Sequence, residues 1–159
     1  MKKKNIILVL TIITLIILLD QLSKFIIFKY IGLYSTKKII NNFFYLTTSL
    51  NTGAAYGLFN NKRSLIIITS IFMFIFIIHE LIRNKDKYKF IIPYSLLMGG
   101  LIGNLIDRIY LGYVRDFISF IIFNHECAIF NFADMFIVIG AVTLCFNYIM
   151  EGYCGNNCK

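Results

Sequence analysis

The chain has 159 residues, 58% of them apolar and 15% charged, with a formal net charge of +8. A typical soluble domain is roughly 45–50% apolar and about 25% charged, so a chain of this size cannot hide its apolar surface in a water-soluble core. The bilayer is its expected solvent. The basic residues stand in short clusters between apolar runs, which suits lipid headgroups, and with no nucleic-acid motif beside them no nucleic-acid partner is expected.

Lys2, Lys3 and Lys4 precede the apolar run "NIILVLTIITLIILL". A basic start and an apolar stretch also describe a secretory signal peptide, but no small-x-small cleavage site follows. The run continues through Asp20, Gln21 and Lys24 into "FIIF", and residues 5–28 read as an uncleaved membrane helix. Residues 31–61 are rich in Thr, Asn, Ser, Gly and aromatic residues and too polar to span. Stretches such as "FFYLTTSL" favour strand, so a small sheet or cradle is predicted over residues 36–60 at one membrane surface.

Residues 64–82 form a second span, with His79 and Glu80 at its end and the basic "RNKDKYK" after it. A third span covers residues 90–106, with Pro93 in its first turn, where the missing N–H costs little. Gly99, Gly100 and Gly103 give it a small-residue face of the kind that lets membrane helices approach closely. A fourth span covers residues 134–150, before a short tail, "EGYCGNNCK". Of the four cysteines, Cys127, Cys145, Cys154 and Cys158, the last pair has C-x3-C spacing without a nearby His. A small reduced cytoplasmic tail is a simpler reading than a zinc site.

The fold class expected is a mainly α membrane protein, four transmembrane helices with a small extracytoplasmic β-cradle, in one domain over residues 1–159. Four spans put both termini on one side, together with Arg83, Lys85, Lys87 and Lys89. The positive-inside bias makes that side the cytoplasm.

In this topology Asp20, Asp107, Asp116 and Asp134 come to one membrane depth at the outer face, with Asn51, Asn104, Arg108 and Asn131. An ionised side chain deep in a bilayer costs roughly 2.5–3.5 kcal/mol on insertion scales, so such residues are paired, wet or functional. One reading is an interfacial salt-bridge cluster, with Arg108 and Arg115 neutralising Asp107 and Asp116. The other asks what carboxylates do unaided. There is no H-E-x-x-H zinc motif and no G-x-S-x-G elbow. His79 falls on the opposite side, and His125 is a single loop residue. An aspartic dyad remains: two nearby carboxyls share a proton, one activates a water and the other polarises the scissile carbonyl. No metal or cofactor is needed. A small transporter or proton channel would instead spread its acids through the membrane depth.

Five blocks then carry a resemblance: "DQLSK" at 20–24, "NTGAAYG" at 51–57, "GNLIDR" at 103–108, "VRDF" at 114–117 and "FNFAD" at 130–134. In this order, within four spans, the chain resembles the bacterial lipoprotein signal peptidases, also called signal peptidase II. That family implies a membrane aspartic protease of the cytoplasmic (inner) membrane, cutting prolipoproteins just before a diacylglyceryl-modified cysteine. The resemblance carries the catalytic pair onto Asp116 and Asp134. It places Asn104, Asp107 and Arg108 in the polar shell that shapes the site, with Asp107 a rival for the first catalytic role. It gives Asp20, Lys24, Asn51, Gly53, Asn131 and Ala133 parts in substrate positioning and support of the dyad. The partners it implies are modified prolipoproteins and membrane lipid, and a monomer is the default state. Three positions depart from the family pattern. Arg115 stands where an apolar residue is usual and is expected to lower the pKa of Asp116. Met135 replaces a common Ser, and Leu50 a common polar residue.

Overall fold

The computed structural model describes residues 2–53, 63–84 and 88–157. Residues 54–60 of the expected cradle, Lys85, Lys87 and Cys158 lie outside the described residues, as does the side chain of Cys154. Four helices are each long and apolar enough to cross a membrane: α1 (Lys3–Ile31), α2 (Arg63–Arg83), α3 (Tyr88–Tyr110) and α4 (Phe132–Asn157). The shortest, α2 with 21 residues, rises about 31 Å at 1.5 Å per residue, the thickness of a hydrocarbon core.

The packing is inverted relative to a soluble bundle. Leu10, Leu15, Phe72, Phe76 and Phe146 are all more than half exposed, whereas Asp20, Lys24, Asn104 and Asp107 are buried. On α1 the buried residues are Asn5, Val9, Ile13, Ile16, Asp20 and Lys24. Their spacing of three or four makes one stripe along the helix, apolar in the middle and charged toward the C-terminal end. The stripe faces α3, which is the most buried helix and packs against the other three. The small-residue face of α3 allows this. A Cβ at Gly103 would lie 2.8 Å from Asp20 Oδ2, and one at Gly100 would lie 2.5 Å from the Ala133 carbonyl oxygen.

α3 begins at Tyr88, which places Pro93 in the second turn and not the first. Proline has no N–H for the carbonyl four residues back, here that of Lys89. The Asn147 side-chain amide of α4 donates to that carbonyl at 2.7 Å. The bond lost within one helix is recovered from the next, as apolar surroundings require.

The sheet is antiparallel with strands in sequence order, β1 (Thr36–Ile40), β2 (Phe44–Asn51), β3 (Val114–Ile122) and β4 (His125–Glu126). The first two were expected in the cradle; the last two lie in the segment expected as the loop between spans three and four. β3 and β4 join through Phe123 and Asn124, both with positive φ, the backbone of a type I′ hairpin turn. Because successive helices reverse direction, the C-terminal ends of α1 and α3 meet the N-terminal end of α4 beside the sheet. The main apolar core, built around Val9, Ile13, Ile77, Leu81, Phe90, Ile91, Tyr94 and Met98, sits toward the opposite end.

Candidate active site

The site is assembled around the first turn of α4. Asn131 is the residue before the helix, and its side-chain oxygen accepts the Asp134 backbone N–H at 3.0 Å. The Asp134 carboxylate returns the bond, accepting the Asn131 N–H through Oδ2 at 3.2 Å. This is a reciprocal capping box with Asn and Asp in place of the commoner Ser and Glu. The next free helix donor, the Ala133 N–H, goes to Asp20 Oδ1 of α1 at 3.0 Å. Two carboxylates therefore stand at the positive end of one helix, and the capping bonds fix the Asp134 backbone and side chain together.

Asp116 comes from β3, opposite Ser49 of β2. Asn51 pairs with Val114, two residues away and so on the same face of the sheet. Its Nδ2 donates to Asp116 Oδ2 at 2.9 Å. On the other oxygen, Asn131 Nδ2 donates to Oδ1 at 2.6 Å. Asn131 thus touches both aspartates, one through its side-chain amide and one through its backbone N–H. Asp116 is 2% exposed. Burial, with the nearby charge of Asp134, pushes its carboxyl up to about 7, and the bonds from Asn51 and Asn131 and the charge of Lys24 only partly oppose this.

Arg115 was expected to lower Asp116, and it does not reach it. Neighbouring residues of a strand point to opposite faces, so the Arg115 side chain turns to Asp107, with Nη2 2.7 Å from Oδ1. Of the ion pairing expected in an interfacial cluster, the structure has Arg115 with Asp107. Asp107 also lies 3.4 Å from Lys24 Nζ, which bonds Asp20 Oδ2 at 2.7 Å. Asp107, the rival for the first catalytic role, is thus held by two cations.

Asn104 links this charged set to the aspartates. Its Oδ1 accepts from Lys24 at 3.2 Å and from Asn131 Nδ2 at 3.1 Å, and its Nδ2 donates to Asp134 Oδ1 at 2.7 Å. Arg108 Nη2 approaches the Gly53 carbonyl at 3.4 Å, and the Gly53 N–H donates to Asn51 Oδ1 at 3.0 Å. Every residue named for the catalytic pair, the polar shell or their support is therefore in this one assembly. Gln21 was missed as a member: its Nε2 bonds Asp20, the Gly103 carbonyl and Asp107. Its place inside "DQLSK" was the available signal.

A cavity of about 680 Å³ opens onto the assembly, with Asn51, Asn104, Arg108 and Asp134 at its polar end. The remaining wall is mostly apolar, including Ile66 of α2, Leu101 of α3 and Met135, Val138 and Ile139 of α4. Asp134 lines the cavity, and Asp116 stands one hydrogen-bond layer behind. Among the described residues no group of His, Cys, Asp and Glu is arranged to hold a metal ion.

Four spanning helices, a four-stranded sheet and polar residues gathered where they meet define a multi-pass membrane protein with one built site. A family model described as signal peptidase (SPase) II matches residues 12–150. The chain is 38% identical over 143 residues to the lipoprotein signal peptidase of Caldanaerobacter subterraneus subsp. tengcongensis, covering 90% of this chain and 97% of that one. It is 42% identical over 135 residues to that of Clostridioides difficile, covering 84% and 89%. A bacterial membrane enzyme solved by the in meso method at 2.3 Å resolution matches with a TM-score of 0.85 at 29% identity, over 91% of this chain and 88% of that one. A second such structure, at 1.9 Å, gives 0.80 at 30% identity, over 88% and 91%. The chain belongs to the signal peptidase II family, the bacterial lipoprotein signal peptidases: membrane proteases that remove signal peptides from prolipoproteins.

Proposed function

We propose that this chain is an aspartic endopeptidase in which Asp116 and Asp134 activate water, and that it cuts before the diacylglyceryl-modified cysteine of a prolipoprotein. The observation that carries the reading is Asn131, hydrogen-bonded to both carboxylates. It holds two acids from different elements, β3 and α4, in one site at the head of an apolar cavity.

The chemistry follows from the different surroundings of the two acids. Asp116, raised to about 7 by burial and its neighbour's charge, suits the proton-bearing partner near neutral pH. Asp134 faces the cavity and suits the general base. Water deprotonated by Asp134 attacks the scissile carbonyl, Asp116 donates its proton to the carbonyl oxygen, and a carboxyl then protonates the departing amine. Arg108 and Asn51 at the polar end are placed to hold the peptide, and the apolar wall to take acyl chains and the apolar signal sequence. Charge supports an orientation with both termini in the cytoplasm and the site at the outer face: Lys2, Lys3, Lys4, Arg83 and Lys89 lie at the end of the bundle away from the site.

The test is cleavage of a diacylglyceryl-modified prolipoprotein by purified, folded protein with a chelator present. Asp116→Asn and Asp134→Asn are expected to lose at least about a thousandfold in kcat, the scale of losing an essential catalytic group. Full loss in Asp107→Asn with turnover in Asp116→Asn would move the dyad by one motif.

A further inference from the structure

Behind the two aspartates lies a second set of charges that the proposed chemistry does not itself use. The Asp107 and Lys24 side chains have no exposed surface, and that of Arg115 is 17% exposed. The Arg115 guanidinium forks onto both Asp107 oxygens, Nη2 to Oδ1 at 2.7 Å and Nε to Oδ2 at 3.3 Å. The Arg115 backbone N–H adds a bond to Oδ2 at 3.0 Å, and Nη2 also reaches Gln21 Oε1 at 2.8 Å. Lys24 lies 3.4 Å from Asp107 Oδ2 and makes its hydrogen bonds to Asp20 Oδ2, at 2.7 Å, and Asn104 Oδ1, at 3.2 Å.

The Asn104 amide has one accepting end and one donating end. An ammonium can only donate and an ionised carboxylate can only accept. Lys24 and Asn131 both donate to the Asn104 oxygen, which leaves the Asn104 nitrogen to donate to Asp134 at 2.7 Å. Lys24, Asn131 and the accepting Asp134 carboxylate together set the direction of that last bond.

We propose that Arg115 is a positioning residue for the cleavage reaction. By saturating Asp107 it leaves Lys24 committed to Asn104, and Asn104 is thereby held as a donor to Asp134. Gln21 braces the guanidinium. Without it, Asp107 is a buried carboxylate with Lys24 as its remaining ion-pair partner among the described residues. Lys24 is then drawn toward Asp107 and releases Asn104. The proposal rests on the aspartic-dyad reading above.

The experiment measures kcat and KM separately for modified prolipoprotein cleavage by wild type, Arg115→Met, Arg115→Met with Asp107→Asn, and Asp116→Asn. Thermal unfolding in the same detergent verifies the fold of each. Arg115→Met is expected to lower kcat roughly ten- to a hundredfold, the scale of a small misplacement of reacting groups, with KM little changed. Adding Asp107→Asn removes the pull on Lys24, and the double variant is expected to turn over faster than Arg115→Met by recovering part of that loss. Charge loss acting only through stability predicts no such recovery. Wild-type kcat in Arg115→Met, or a double variant no faster than the single one, overturns the proposal. If the methionine variant does not purify folded, Arg115→Lys carries the test. It keeps the charge but cannot serve both Asp107 oxygens and Gln21, and a wild-type kcat there is the overturning result. Turnover by Asp116→Asn is a different outcome, since it removes the dyad reading whatever Arg115 does.

Discussion

With the proposed dyad, Asp116 sets function against stability at a single carboxyl. Its usual value of 3.8 is raised to about 7 in the folded chain, so the fold favours the protonated form. The stabilising contribution is complete below pH 4 and is lost as pH rises through 7. Above that, holding the ion buried costs on the order of 4 kcal/mol by the size of the shift. Asp116→Asn removes the ionisation and is expected to abolish cleavage while unfolding at a higher temperature than wild type at pH 8, the gap closing toward pH 5. Parallel melting curves across that range would sink the argument. The gathering of acids and amides was legible in the sequence, because such residues are conspicuous in an apolar chain; Gln21 was passed over. The direction of Arg115 was not. Adjacency in sequence suggested contact with Asp116, and only a strand, whose side chains alternate, separates the two.

At the scale of elements, the site depends on how closely α3 approaches its neighbours. A methyl at Gly103 would meet Asp20 Oδ2 at 2.8 Å, and one at Gly100 would meet the Ala133 carbonyl at 2.5 Å. The first obstacle is a side chain that also holds Lys24 and the start of α4; the second is backbone. Gly103→Ala and Gly100→Ala are both expected to reduce cleavage at least tenfold or so, with the larger fall in unfolding temperature at Gly100, where no rotamer change relieves the clash. Equal, wild-type melting of both would contradict the packing. Away from the site, Asn147→Ala leaves the Lys89 carbonyl without its partner beside Pro93. It is expected to cost about 1–3 kcal/mol of stability, measured by thermal unfolding, with cleavage per folded molecule unchanged. The helices were legible as long apolar runs, one with a glycine face, though α3 starts early enough to move Pro93 into its second turn. β3 and β4 were not. "VRDFISFII" is nearly continuous apolar sequence, and its hairpin turns on Phe123 and Asn124 without the Asn-Gly or Asp-Gly pair that announces a type I′ turn.

At the scale of the molecule, alternation of four spans does what no local motif does. It brings Asp20, Asn104 and Asp134 to one end, although they are spread over most of the chain, and this convergence could be read by counting spans. The cavity they head could not be read, because its volume depends on which apolar faces pack and which stay open. Most of its wall belongs to membrane-crossing helices, and Val138 and Ile139 on one of them are 60% and 47% exposed. In the proposed function a substrate reaches it sideways through lipid, so encounter is counted per unit area of membrane rather than per litre of buffer. At fixed amounts of enzyme and substrate, adding empty detergent micelles should slow cleavage as it thins the substrate in the amphiphile phase, while adding buffer should leave the rate per enzyme nearly untouched. The working concentration of this site is a surface density.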